Sequence, residues 1–485
     1  MTTASFSVRT PVYRRMGALL AIGLVCALYL ADLTGMGMVG PDEPRYAYVG
    51  RAMARSGDWI TPRLWASPVS DKPWFEKPAL LYWMTAAGFR LGLGADLAPR
   101  LPVALLSVLF LGFFWWRLRV EWDPRAAFFG TAMLATSAGW LTYSHVAVTD
   151  LPLAAFFSAA VLLSLPWVAR REGDRAELTI AAACLGLATM AKGLVPLVLF
   201  VPVLALPVIE GASSRLRNWF RPGPLLAFSL CALPWYILCT IRNGSEFLRV
   251  FFLEQQFGRF RSAALQHVQA PWFYIPIFLV LLYPWFPLLV VLPVSLRQDA
   301  RIRTLAAVVI FGFVFFSASV NKLPGYLLPL MPATFALLGL GLSRAMRPAI
   351  AVITPVLLLG ALPLISGIAP RVLVSHGLWS SNIPWMRGAL WLIAAGVVGI
   401  VLARFVPKQA FGAAMALAAL AFLCFQLLTF PEFDALASAR PLWRTERPQC
   451  APAVSRDMLY GLYYYSGRQI PGCLVPEPNG TRVVR

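Results

Sequence analysis

Runs of about 20 predominantly apolar residues recur from one end of this chain to the other, and a run of that length is what an α-helix needs to cross bilayer hydrocarbon. Hydrophobic residues make up 59% of the 485 and charged residues 13%, about half the charged share of an ordinary soluble domain. A water-soluble core cannot cover so many helices that are apolar all round. A membrane barrel would alternate at period 2, and no such alternation is present. The pattern defines an all-α polytopic membrane protein.

Length and apolarity predict about thirteen spans, near 14–33, 98–119, 126–142, 151–169, 177–191, 194–210, 224–241, 271–295, 304–319, 325–343, 349–367, 388–405 and 409–429. The first follows Arg9, Arg14 and Arg15 and shows no small-residue cleavage pattern, so it reads as an uncleaved span. The formal net charge is +20. Nucleic acid is one explanation for such a charge, but its distribution gives a better one. With the N-terminus inside, the inner segments are RLRVEWDPR (117–125), RREGDR (170–175), SSRLRNWFR (213–221), RQDARIR (297–303), RAMR (344–347) and RFVPK (404–408). All are basic, as the positive-inside rule requires. No nucleic-acid partner is expected, and membrane lipids surround the chain.

Three outer segments are long: 34–97, 242–270 and 430–485. The expected organisation is a transmembrane domain over 1–429 and a small outer segment over 430–485, with the C-terminus outside. Within the first outer segment, EPRYAYVGRAMARSG and PALLYWMTAAGFRLG mix apolar and polar positions at helical spacing, which predicts two helices lying along the membrane surface. There is no internal repeat of the kind many transporters carry. Five of the seven cysteines fall in apolar spans, whereas Cys450 and Cys473 fall in the last outer segment. An oxidising compartment would let those two pair, so a disulfide is expected there.

The outer side also collects charges that topology does not explain: Asp42, Glu43, Arg45, Asp71, Lys72, Glu76, Lys77, Asp150, Lys192, Glu254 and Lys322. Four of the chain's five lysines are among them, against the positive-inside trend. Binding a phosphate is a sufficient reason for cations on that side. Asp150, Lys192 and Lys322 lie at span margins, where a charge is costly unless it is paired or faces a wet cavity. Each alone could be an interfacial charge reaching water. Together they point to one outer cavity.

The stretches PDEPRYAYVGRAMARSGDWITPRL, FEKPALLYW, APRLPVALLS, TDLPL, MAKGLVP and NKLPGYLLPLMP occur in that order over the first two-thirds of the chain. This set resembles the bacterial aminoarabinose-transferase/protein-mannosyltransferase group, glycosyltransferases of the GT-C class. The resemblance implies the GT-C fold, thirteen spans and an inward N-terminus in the bacterial inner membrane. It also implies transfer, with inversion at the sugar, from a polyprenyl (undecaprenyl) phosphate carrier to a periplasmic-side acceptor: lipid A, another envelope glycan or a protein. A nucleotide sugar is not used by such enzymes, and no Gly-rich nucleotide loop stands in this sequence.

The leaving phosphate gains charge as the glycosidic bond breaks, so cations should lie against it. Arg45, Lys77, Lys192 and Lys322 are the candidates. Asp42, matching the group's acidic pair with Glu43, is the candidate base for a hydroxyl acceptor; for a phosphate acceptor it would orient. Asp150 is a second acidic candidate, and Tyr326 a candidate sugar or acceptor contact. Trp74, Tyr82 and Trp83 could line an apolar groove for the lipid tail or simply form an interface belt. One departure stands out. Some aminoarabinose transferases hold a metal with the Glu of FEKP and a His in an EHxxRF-like stretch, but here that stretch is LEQQFGRF, with Gln255 in place of the His. Glu76 remains, and His267 lies about a dozen residues on. One Glu and one displaced His are not a metal site, so no tightly bound zinc or other cofactor is expected, with at most a weakly held divalent cation at Glu76. The change also puts aminoarabinose in doubt as the donor sugar, and leaves Glu76, Glu254, Gln255, Arg259 and His267 as candidate sugar or acceptor contacts. The alternatives to an enzyme are a flippase of lipid-linked sugars and a non-catalytic assembly subunit. Few inner-half polar residues lie within the spans, which counts against the flippase.

Overall fold

The computed structural model describes residues 12–65, 72–169, 175–258, 269–292, 299–345, 349–375, 385–451, 454–476 and 482–484. Among these, each of the thirteen apolar stretches is helical. In chain order they are α1 (Val12–Leu30), α4 (Gly94–Glu121), the pair α5 (Pro124–Ala135) and α6 (Ala138–Ser144), α7 (Asp150–Ala169), α8 (Arg175–Lys192), the pair α9 (Val195–Leu199) and α10 (Val201–Ile209), α11 (Pro222–Leu248) and α12 (Tyr274–Leu282). There follow α13 (Ala300–Ala318), α14 (Met331–Ser343) with a 3-10 turn ahead of it (Pro324–Leu330), the pair α15 (Ile353–Leu359) and α16 (Leu362–Ser375), α17 (Trp385–Phe405) and α18 (Ala410–Ala437). Eight of the described helical segments are long and apolar enough to cross a membrane unaided.

Side-chain exposure separates core helices from lipid-facing ones. In α7 nearly every residue is buried, from Leu151 to Val168, because α4, α8 and α13 surround it. In α17, by contrast, Met386, Leu390, Trp391, Ile393 and Val397 are all exposed. Apolar exposure on that scale fits contact with acyl chains. Where helices touch most closely, small residues permit it. A Cβ on Gly339 of α14 would lie 2.6 Å from the Ala126 carbonyl oxygen and the Gly130 nitrogen of α5, so only glycine fits at this crossing.

Both short helices expected in the first long loop form. In α2 (Asp42–Ser56), two carboxylates occupy the positive end of the helix dipole, and Gly57 at φ 74° closes it with an N–H bond to the Met53 carbonyl. α3 (Leu80–Arg90) follows a two-stranded pair, β1 (Arg63–Leu64) and β2 (Lys72–Pro73). Of the two, α2 has the more heavily covered surface. Tyr46, Val49 and Met53 are buried in the main core, where α2 packs against α3, while Ala47 and Tyr48 are buried against the C-terminal segment.

That small outer segment forms a cap with helices and a strand pair of its own. α18 runs on past residue 429 to Ala437, and α19 (Arg440–Thr445), α20 (Arg456–Ser466) and the pair β3 (Leu474–Pro476) and β4 (Arg482–Val484) follow. Ser455 caps α20 by accepting from the Met458 N–H, and Gly467 at φ 78° ends it. Met38, Ala47, Tyr48, Trp65 and Tyr464 form a separate small core between cap and loop. Cys450 and Cys473 are joined in a disulfide that brackets α20.

Candidate functional site

The charges at the two ends of the bundle sort into separate networks. At the end where α4 finishes and α13 begins, Arg117 pairs with Glu121 at 2.7 Å and Glu177 at 2.8 Å, while Arg301 reaches Asp299 at 2.8 Å and Glu121 at 3.2 Å. Asp299 also caps α13 through the Arg301 N–H. The opposite end carries the loop 31–93 and the cap, and there most of the candidate residues meet.

Asp42 and Arg45, one turn apart at the start of α2, form an ion pair, and Arg45 Nη1 continues to Glu76 Oε2 at 3.1 Å. The other Glu76 oxygen pairs with Lys77 Nζ at 3.2 Å. Arg45 also donates from Nε to the Pro41 carbonyl at 2.9 Å, and its guanidinium lies 5.3 Å from the Trp74 ring and 5.6 Å from the Tyr460 ring. Burial disfavours the Arg45 charge, but Glu76 and Asp42 overcome it and hold the guanidinium pKa above its ordinary value. Asp42 keeps 34% of its side-chain surface open, while Glu76 and Lys77 keep 7% and 8%. Asp42 is thus the accessible carboxylate of the group.

A second group forms where α7 starts and α8 ends. Lys192 Nζ and Asp150 Oδ1 are 2.5 Å apart, and the Lys192 ammonium sits 4.6 Å from the Tyr326 ring. Gly325 presses against this pair: a Cβ there would come 2.5 Å from Asp150 Oδ1 and 2.8 Å from the Tyr143 hydroxyl. In addition α3, which follows Lys77, packs against α8, which ends at Lys192. The elements that carry the two groups are thus in contact.

Glu43, expected beside Asp42, has a different role in the structure. It is fully buried and accepts four hydrogen bonds: from Arg100 Nε and Nη2, both 2.7 Å, from the Ala147 N–H at 2.9 Å and from the Val39 N–H at 3.0 Å. No lone-pair direction is left for a substrate. It pins the start of α2 to α4 and to the 145–149 turn. The Lys322 ammonium donates to the Ser319 carbonyl and to the Gln269 carbonyl at 3.2 Å. Glu254 pairs with Arg249 on the same helical stretch and keeps 48% of its side chain exposed. Gln255 ends the described side chains of that stretch, and Arg259 and His267 lie outside the described residues.

Among the described residues no group of three or more His, Cys, Asp and Glu side chains could hold a metal. At Glu76 a divalent cation would have to displace both Arg45 and Lys77, so the donor set does not suit one. Trp74 and Tyr82 pack with Tyr46 beside Arg45, and Trp83 donates its indole N–H to the Trp59 carbonyl at 2.8 Å. Arg100, Tyr143 and Tyr460 escaped the sequence reading. Arg100 had a visible signal, an arginine inside an apolar run, whereas Tyr460 had none.

The model of the dolichyl-phosphate-mannose-protein mannosyltransferase family matches residues 16–245. A relative from Pseudomonas aeruginosa (strain UCBPP-PA14), an undecaprenyl phosphate-alpha-4-amino-4-deoxy-L-arabinose arabinosyl transferase, is 33% identical over 351 residues, 68% of this chain and 59% of the relative. One of the same description from Edwardsiella ictaluri is 32% identical over 316 residues, 62% of this chain and 55% of the relative. The chain thus spans a little over half the length of these relatives. The crystal structure of ArnT from Cupriavidus metallidurans bound to undecaprenyl phosphate superposes with a TM-score of 0.74 over 94% of this chain and 85% of that one, at 23% identity. The shared architecture is the GT-C fold.

Proposed function

We infer that this chain, which has the GT-C fold and sequence relatives among the aminoarabinose and protein-mannose transferases, is an integral-membrane glycosyltransferase that takes its sugar from a polyprenyl phosphate. The observation that carries the reading is the joining of Asp42, Arg45, Glu76 and Lys77 into one chain of ion pairs, with a second group, Asp150, Lys192 and Tyr326, carried on elements in contact with theirs. The relatives are described as transferases, which favours transfer over flipping of the lipid-linked sugar.

In this reading the acceptor approaches the anomeric carbon from the Asp42 side. A new bond forms between the acceptor oxygen and that carbon, the carbon–oxygen bond to the carrier phosphate breaks, and its electron pair stays on the phosphate. Lys77, Arg45 and Lys192 stabilise the charge that develops there. A hydroxyl acceptor gives its proton to Asp42, while a phosphate acceptor has none to give and needs only to be oriented. Asp150 holds Lys192 in place and contacts sugar or acceptor. Glu43 positions Asp42 by anchoring the helix, and Lys322 fixes the turn that presents Tyr326. Gln255, Glu254, Arg259 and His267 remain contact candidates on the 242–270 segment. The donor is an undecaprenyl-phosphate sugar, pentose or hexose; the acceptor is lipid A, another envelope glycan or a protein; the site faces the periplasm of the bacterial inner membrane. No tightly bound cofactor takes part.

Two measurements test this. Mass spectrometry of lipid A and envelope glycans, with and without the chain, should show one added sugar that depends on it. In proteoliposomes, Asp42→Asn should abolish transfer to a hydroxyl acceptor while retaining carrier binding, and Lys77→Ala should weaken carrier binding. An envelope unchanged by removing the chain, together with an Asp42→Asn variant as competent as the parent, overturns the reading.

A further inference from the structure

The cap reaches the charge cluster through Tyr460. Arg45 spends its donor edges on Pro41, Asp42 and Glu76, which leaves the guanidinium faces for aromatic rings. One ring, Trp74, comes from the FEKP loop. The other, Tyr460, comes from α20, more than 400 residues along the chain. Helix α20 is held there firmly. Tyr464 donates to the Ala95 carbonyl at 2.5 Å, and Tyr465 donates to Asp96 Oδ1 at 2.8 Å while accepting from the Met38 N–H at 2.9 Å. Arg51 of α2 donates to the Tyr464 carbonyl and lies 4.6 Å from its ring. Tyr460 itself packs 5.7 Å from the Trp65 ring. The Cys450–Cys473 disulfide closes the loop that carries the whole helix.

We propose that Tyr460 is a positioning residue for transfer, fixing the Arg45 guanidinium so that the cap is a working part of the phosphate-binding site. The proposal rests on the glycosyltransferase reading above. A guanidinium locked at both edges and faces has one orientation, and so do the two carboxylates it bridges. Without the Tyr460 ring, Arg45 can swing with Asp42, and the acid–cation geometry that must meet the breaking bond is occupied only part of the time. What the ring supplies is its π-face, so Tyr460→Phe should keep the effect. Tyr460→Leu keeps apolar packing against Trp65 but removes the π-face, and should lose it.

The test uses the full chain in proteoliposomes of bacterial lipid with an undecaprenyl-phosphate sugar donor. Tyr460→Leu should lower kcat by roughly five- to thirtyfold, the worth of a partly desolvated cation–π contact. Tyr460→Phe should stay within about twofold of the parent on the same grounds. The doubly substituted Cys450→Ser, Cys473→Ser chain should fall in the same direction, and adding Tyr460→Leu to it should cost less than in the disulfide-bonded parent, because a loosened cap already withdraws the ring. Equilibrium binding of undecaprenyl phosphate alone provides a readout that needs no turnover, and Tyr460→Leu should weaken it relative to Tyr460→Phe. If the parent binds the carrier but transfers no sugar, the enzyme reading fails, and the binding comparison still judges Tyr460. If Tyr460→Leu matches Tyr460→Phe in both kcat and carrier binding, the positioning role is overturned.

Discussion

Replacing Arg100 by Met isolates what holds α2 in place. The Arg100–Glu43 pair is almost wholly inaccessible, with side-chain exposures of 1% and 0%. Arg100 also donates to the carbonyls of Leu33 at 3.1 Å, Gly37 at 2.7 Å, and Met36. Removing one partner of a buried pair leaves the other charge without compensation, which costs about 3–5 kcal/mol, and the three orphaned carbonyls push the loss toward the upper end. Arg100→Met should therefore lower the unfolding free energy by about 4 kcal/mol, read from tryptophan emission during titration of mixed micelles with SDS. The double variant Arg100→Met, Glu43→Leu removes both charges. It should be less destabilised than the sum of the single changes, with a coupling of about 2 kcal/mol or more. Sugar transfer should fall with Arg100→Met, because Asp42 sits next to the released carboxylate. A loss under about 1 kcal/mol, or single effects that simply add, would refute the claim that this pair anchors the site.

Three further outcomes follow from the geometry. Burial pushes His145 down to about 4. Its native pKa lies below the unfolded value near 6.5, so the stability present above about pH 6.5 drains away as pH falls toward 4, by roughly 3 kcal/mol in all. His145→Phe should flatten that limb in a pH series of melting curves, and a limb left intact would assign it to other groups. Gly325→Ala should cut kcat by roughly ten- to a hundredfold with expression retained, because its Cβ would collide with Asp150 and the Tyr143 hydroxyl; unaltered kinetics would remove the Asp150–Lys192 pair from the mechanism. Arg117→Met should destabilise the chain by about 3 kcal/mol without changing KM for the carrier, since its partners Glu121 and Glu177 belong to the opposite face. A raised KM with unaltered stability would contradict that separation.

Adjacent residues show where sequence reasoning stops. Asp42 and Glu43 look equivalent in the string PDEP, yet one is the accessible carboxylate of an ion-paired cluster and the other is sealed under Arg100. A helix turns successive side chains by about 100°, so neighbours face different surroundings, and only packing says which face is wet. Lys192 and Lys322 look alike at the ends of spans, but one has a carboxylate partner and the other has backbone carbonyls. Glu254, a candidate contact by its place in the sequence, also has a local partner in Arg249 that no motif announces.

By itself the sequence determined the apolar segments and their order, the two short helices of the first long loop, and the motifs that point to a lipid-phosphate sugar donor. These are legible because hydropathy, charge sign and helix-stop residues act over one or two turns of chain. The tertiary structure alone decided which carboxylate meets which cation, that the cap covers Ala47 and Tyr48 of α2, and that Tyr460 stands over Arg45. Those contacts join residues tens to hundreds of positions apart, and what selects among chemically equivalent partners is the packing of whole helices, which no local pattern records.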